Sequence, residues 1–352
     1  MYRFVRWILF LFYPEKIHYI LIKVLRGLKR VYISSPILRL IYNYKNPLLE
    51  REVFGVKFKN PVGLASGYDK NCDFYHLLSD FGFGFIEVGT LTPQPQEGNE
   101  KPRVFLLPKD EAIINRDGIA NLGVRHAVYL LKNNKPGCPI GANISNCEKT
   151  PKDKIIKDFE LAFEYLYDFV DYFAINVSTP HADDHGVVKS TAGLSEILDS
   201  LLTIRNMYDE YRPILLKISP DMTRAQLDEI VDIALISGLD GIITTSSTQK
   251  RENLKTSSKS LSRIGKGGLS GKPLYNKSLN MVKYLHEKTR GQLPIVACGG
   301  IMTPLQAKEM LDAGASLIQI YTGFVYKGPS IVRKINKYLA KCEKQKLQSA
   351  IK

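Results

Sequence analysis

The sequence predicts an α/β fold, a (β/α)8 TIM barrel with a small N-terminal α-helical extension. Three observations carry that prediction. Eight short, apolar, β-branched runs recur with amphipathic stretches between them, which is the rhythm of βα units closing on one another. The runs end in Asn, Thr, Ser, Lys or Gly, so polar groups collect just past the strand ends. The chain of 352 residues, 44% hydrophobic and 24% charged, is long enough for one barrel core and an appendage.

The appendage comes first. From Met1 to Asn46 nine basic residues stand against one acid, Glu15, so +8 of the net +14 lies in this short segment. Its longest apolar stretch, Trp7 to Tyr13, stops at Pro14 and is far short of the ~20 residues that cross a bilayer. A helix after Pro14 places Ile17, Ile20, Leu21, Val24, Leu25 and Leu28 on one face and Lys16, Lys23, Arg26, Lys29 and Arg30 largely on the other. Such a helix lies in an anionic membrane surface; a helix pair packed only on its own barrel is the alternative. No small-residue cleavage site follows, which argues against a signal peptide. Basic residues interleaved with large apolar ones also argue against nucleic-acid binding. Five scattered cysteines without a C-x-x-C pair suggest neither a disulfide framework nor a structural zinc site.

The strand candidates follow in order as 61–65, 85–89, 139–143, 172–176, 213–217, 241–245, 294–298 and 317–321. Helices are expected between them, for instance Lys154 to Val170 and Arg224 to Ser237 before Gly238. The first strand leads into Ala65, Ser66, Gly67, Tyr68, Asp69 and Lys70, and the second into Thr90. Asn143 ends the third, Asn176 and Thr179 the fourth, Lys217 the fifth, and Thr245, Ser246 and Ser247 the sixth. An insert then carries Ser270 and Gly271; Gly299 and Gly300 end the seventh strand, and Tyr321 and Thr322 the eighth. Glycine turns after strands seven and eight fit the phosphate pocket that this barrel commonly builds there.

Lys217 lies on an apolar strand, where an unpaired ammonium costs several kcal/mol. It requires a partner, either a neighbouring carboxylate or an electron-rich ring in the barrel mouth. Flavin mononucleotide (FMN) meets both demands, with its phosphate on the late glycine turns and its ring over the mouth.

Several ordered motifs carry a resemblance: FKNPVGLASGYDKN (58–71), FGFGFIEVGTLTPQPQEGNEKPR (81–103), INRDGIANLG (114–123), NVSTP (176–180), LLKISPD (215–221), GGLSGKPL (267–274), CGGI (298–301) and QIYTGFVYKGP (319–329). With Pro14-Glu15-Lys16-Ile17-His18 at the N-terminus, the chain resembles class 2, quinone-linked dihydroorotate dehydrogenases over nearly its whole length. The resemblance implies FMN-dependent oxidation of dihydroorotate to orotate in pyrimidine biosynthesis, with electrons passed to a membrane quinone through a tunnel between the N-terminal helices and the barrel, beside His18. It implies FMN held by Ala65, Ser66, Gly67, Tyr68, Asp69, Thr90, Asn143, Asn176, Lys217, Thr245, Ser270, Gly271, Gly299, Gly300, Tyr321 and Thr322. Substrate falls to Lys70, Asn115, Arg116, Asp117, Gly118, Ile119, Asn176, His181, Ser246 and Ser247, with Thr179 as the catalytic base. The implied location is peripheral, on the cytoplasmic side of the cell membrane. The implied domains are 1–46 for membrane and quinone docking, 47–342 for the barrel, and 343–352 as a polar tail.

The substrate side departs from that family. Thr179 stands where class 2 enzymes carry serine, His181 and Ser246 where they carry asparagine, and the Gly-Leu-Arg of the lid is absent. Asp117 replaces an apolar or aromatic residue, Ile119 a phenylalanine, Ala120 an asparagine, and Leu106 the arginine that faces quinone. Two further readings therefore accompany the first. One is a flavoprotein on the same frame with an altered substrate or weak activity. The other is a metal-assisted hydrolase or a metal-binding module at His181-Ala182-Asp183-Asp184-His185, whose ligand-type side chains are closely spaced.

Overall fold

A computed structural model describes residues 2–12, 14–29, 34–177 and 191–351. Eight parallel strands close into a barrel: β3 (Val62–Leu64), β4 (Phe85–Leu91), β7 (Ile140–Ile144), β8 (Tyr172–Asn176), β9 (Ile214–Ile218), β10 (Gly241–Thr244), β12 (Ile295–Cys298) and β13 (Leu317–Ile320). They pair in chain order, and β13 returns to β3 through Ile318 opposite Val62. Each expected run is a strand to within two residues at either end, because a run buried on both faces needs continuous apolar character.

A hairpin of β1 (Arg51–Val53) and β2 (Val56–Phe58) sits at the bottom of the barrel. Its Phe54 and Phe58 pack with Phe85, Tyr172, Leu215, Ile243, Val296 and Leu317, which fill the interior. The glycine at 141 makes room for this filling, since a Cβ there would lie 2.0 Å from the Tyr172 ring. A larger core lies between the strands and the surrounding helices, and includes Phe159, Phe163 and Phe173.

Helix Arg224–Ser237 has the expected limits. Thr223 and Gln226 form a reciprocal capping box at its start, and Gly238 ends it in the left-handed conformation at φ 72°. Across the mouth lies a feature the eightfold rhythm concealed, an antiparallel sheet of β5 (Val104–Leu107), β6 (Ala112–Asn115) and β11 (Gly268–Gly271).

The N-terminal segment forms helices Tyr2–Leu9, Pro14–Lys29 and Ser34–Tyr42. They are tied to the barrel by polar contacts. Arg6 donates to the Tyr326 carbonyl at 2.7 Å, the Arg103 N–H donates to Glu15 at 2.6 Å, and Arg39 pairs with Asp80 at 2.5 Å. Trp7, Leu11, Phe12, Ile20, Val24, Ile37, Leu40 and Ile41 remain exposed. No helix among the described residues is long and apolar enough to cross a membrane. The last helix, Ser330–Ile351, runs through the expected tail.

Candidate active site at the barrel mouth

The site rests on charge buried in the barrel itself. Glu87 on β4 is fully buried and accepts from Lys217 at 2.9 Å, Asn143 at 3.0 Å and Gln319 at 2.6 Å. Lys217 also donates to Ser66 Oγ at 2.9 Å. Burial alone would raise the Glu87 carboxyl, but Lys217, Gln319 and Ser66 outweigh it and hold the group below its usual range. For Lys217 burial acts downward, and the Glu87 charge reverses it, so the ammonium is held above its usual value. The carboxylate alternative for the partner of Lys217 is therefore the observed one. From this pair a relay runs outward: Asn143 accepts from Thr90 at 2.6 Å, and Thr90 accepts from Asn176 at 3.2 Å.

Above the network lies a cavity of about 240 Å3. Its wall gathers most of the residues expected to hold a cofactor: Ala65, Ser66, Gly67, Thr90, Asn176, Lys217, Thr245, Ser270, Gly271, Gly299, Gly300, Tyr321 and Thr322. The same wall includes Lys70, Asn115, Asp117, Gly118, Ile119, Ser246 and Ser247 from the expected substrate set. A Cβ at Gly300, where φ is 75°, would fall 2.4 Å from the Tyr275 nitrogen, so only glycine lets this cavity-lining turn pack so close to Tyr275. Ser270 and Thr322 share a hydroxyl bond of 2.9 Å, and Thr245 reaches Ser278 at 2.9 Å.

Four expected residues stand elsewhere. Asn143 is fully buried behind the wall as part of the Glu87 network. Asp69 caps a turn by accepting from the N–H groups of Asp73, Phe74 and Tyr75 at 2.6–2.8 Å; burial raises its carboxyl to about 6 against those bonds. Tyr68 packs edge-on against Tyr321 and Phe324. Arg116 turns its guanidinium to the carbonyls of Pro102 and Ile264 and stacks over Phe105. Thr179 and His181, with the whole 181–185 cluster, lie outside the described residues, as does the side chain of His18.

The structure also adds residues. Glu87 and Gln319 support the wall from β4 and β13, and Ile113, Asn146, Glu148, Leu274 and Cys298 line it. Burial raises the Cys298 thiol to about 11, which keeps it neutral beside Lys217. A carboxylate and an amide inside apolar runs are the same signal that singled out Lys217. Two polar atoms on the wall, Ser246 Oγ and Gln319 Oε1, are buried without a hydrogen-bond partner among the described residues. Such atoms cost ~1–3 kcal/mol each until something meets them, so the wall suits a ligand rich in polar edge groups.

A second cavity, of about 610 Å3, separates the N-terminal helices from the barrel. Leu9, Phe10, Ile17 and Ile22 roof it, and Phe74, Phe81, Leu106, Phe324 and Val325 form its floor. The two cavities share Gly67, Lys70, Ile113, Asp117, Ala120 and Tyr321.

Fold and site together define a barrel enzyme working at its C-terminal mouth on a polar ligand, with an apolar chamber alongside. The family model described as Dihydroorotate dehydrogenase matches residues 48–342, and the chain belongs to that family. A protein named dihydroorotate dehydrogenase (quinone) from Christiangramia forsetii is 45% identical over 328 residues, covering 93% of this chain and 95% of that one. Its namesake from Coxiella burnetii is 40% identical over 343 residues, covering 96% of each chain. Among solved structures, ligand-free DHODH from Eimeria tenella superposes with a TM-score of 0.80 at 32% identity, covering 89% of this chain and 95% of that one.

Proposed function

We propose that the chain oxidises dihydroorotate to orotate with FMN held at the barrel mouth, and passes the electrons to a quinone in the apolar chamber. The observation that carries this reading is the pair of adjoining cavities with a common wall, the one beneath the N-terminal helices being the larger and the more apolar. Such an arrangement serves two half-reactions with chemically different partners. The Ser246 and Gln319 oxygens, without a partner among the described residues, and the glycine turn at Gly299 and Gly300 fit a ring with polar edges and a phosphate tail.

FMN, when bound, supplies a two-electron acceptor that can release its electrons onward. The residues that would hold it are Ala65, Ser66, Gly67, Thr90, Asn176, Lys217 and Thr245 toward the ring, with Ser270, Gly271, Gly299, Gly300, Tyr321 and Thr322 toward the phosphate. Lys217 places positive charge at the mouth, and Glu87 keeps that ammonium in place while balancing its burial. Asn176 and Thr90 are fixed by the relay to Asn143, so a ligand meets groups already oriented. Lys70 and Asn115 are assigned to the substrate. Thr179 is assigned the proton from C5 of dihydroorotate, received at its hydroxyl oxygen as a second acceptor draws off the hydroxyl proton.

Exposed apolar side chains on the N-terminal helices, among them Trp7, Leu11 and Phe12, support peripheral docking on a membrane surface, where a quinone would enter the chamber. Thr179→Ala and Thr179→Ser, followed by anaerobic flavin reduction, test the chemical step. The serine variant should match or exceed the parent. The alanine variant should be slower by roughly 10²–10⁴-fold, and an unchanged rate would remove the hydroxyl from the mechanism.

A further inference from the structure

Among the described residues of the cavity wall the charged side chains are Lys70, Lys217, Asp117 and Glu148. Lys217 is committed to Glu87 and Ser66, and the Arg116 guanidinium points to carbonyl oxygens away from the cavity. Among the described residues, Lys70 is thus the wall cation left to meet an anionic substrate. It is already paired: its Nζ lies 2.5 Å from Oδ2 of Asp117.

The Asp117 carboxylate is not there by accident of a loose loop. Its own N–H donates to Asn115 Oδ1 at 2.8 Å, and its carbonyl accepts from the Asn99 N–H at 3.0 Å. The side chain is 9% exposed and that of Lys70 is 27% exposed, so water screens the pair only in part. Both residues stand on the wall common to the two cavities. An anion entering beside Lys70 therefore meets a neutralised lysine and a fixed negative charge. It engages Lys70 only by taking the ammonium over from Asp117, whereas a neutral ligand of the same shape meets no such competition.

We propose that Asp117 is a specificity-determining residue that competes with the substrate carboxylate for Lys70 and so weakens binding of anions relative to neutral ring ligands. This rests on the reading of the site as one for dihydroorotate and orotate. Because Lys70 is the salt-bridge partner found for the Asp117 carboxylate, replacing the carboxylate with an amide of the same size removes the competition and leaves the backbone bonds in place.

The test is calorimetric titration of the FMN-loaded protein with orotate and with its neutral carboxamide, in the parent, Asp117→Asn, Asp117→Ala and the double variant Lys70→Gln/Asp117→Asn. Orotate should bind the single Asp117 variants about tenfold more tightly than the parent, with carboxamide affinity unchanged within about twofold. The gain should vanish in the double variant. Equal or weaker orotate binding in the single variants would overturn the proposal, as would equal tightening of both ligands or a gain that survives without Lys70. A parent and variants that all ignore orotate at millimolar concentration would instead overturn the substrate assignment itself, and the role of Asp117 with it.

Discussion

At the scale of residues, the molecule solves a problem that Lys217 poses by itself. An ammonium in a parallel barrel must be answered by an opposite charge in equally deep burial, and Glu87 does so from the opposite part of the strand ring. Glu87→Gln would leave the lysine uncompensated. It should cost about 3–5 kcal/mol of stability and release the flavin, as measured by thermal unfolding and visible absorbance. The pair also sets a pH window. The Glu87 carboxyl titrates below 4.5 in the folded state, so its contribution is complete above that value and is lost as pH falls through the lower folded one. Lys217 titrates above 10.5, so its contribution is complete below that value and is lost as pH rises through the higher folded one. Lys217 was legible in the sequence because a charge in an apolar run has to be explained. Glu87 and Gln319 sit in runs of the same kind and carried the same signal; what strand patterns alone do not specify is the register that brings them to Lys217.

At the scale of elements, the eight strands were readable because each is buried on both sides and so is written as an unbroken apolar run. Helix Arg224–Ser237 was readable for a different reason, its capping box and terminal glycine. The sheet of β5, β6 and β11 was not, since β11 joins the other two only through pairing across more than 150 residues, such as Ser270 with Ile113. That sheet carries Ile113, Asn115, Ser270 and Gly271 to the cavity. The seventh barrel strand contributes its glycine turn by close approach rather than by side chains. Gly300→Ala would drive a methyl into the backbone at Tyr275 and strain a left-handed residue. The expected cost is about 1–3 kcal/mol, read as a lower Tm and a raised FMN Kd, with FMN binding losing more free energy than folding if the turn holds the phosphate.

For the whole molecule, the question is why a complete barrel carries a basic, apolar head. The head was visible in charge and hydropathy patterning, and a tunnel beneath it was implied by the family resemblance; the side chains of its floor were not legible, because Phe74 and Phe81 lie far from Phe324 in the chain. Removing 1–46 should abolish reduction of a quinone in detergent while dihydroorotate still bleaches the flavin; unchanged quinone reduction would separate the chamber from electron transfer. The central claim is most directly tested by anaerobic titration of the purified full-length chain with dihydroorotate, followed spectroscopically. The account predicts a yellow protein with stoichiometric FMN, bleached by dihydroorotate and recoloured by added quinone. A colourless chain that takes up no FMN, or a bound flavin that stays oxidised under excess dihydroorotate, would contradict it.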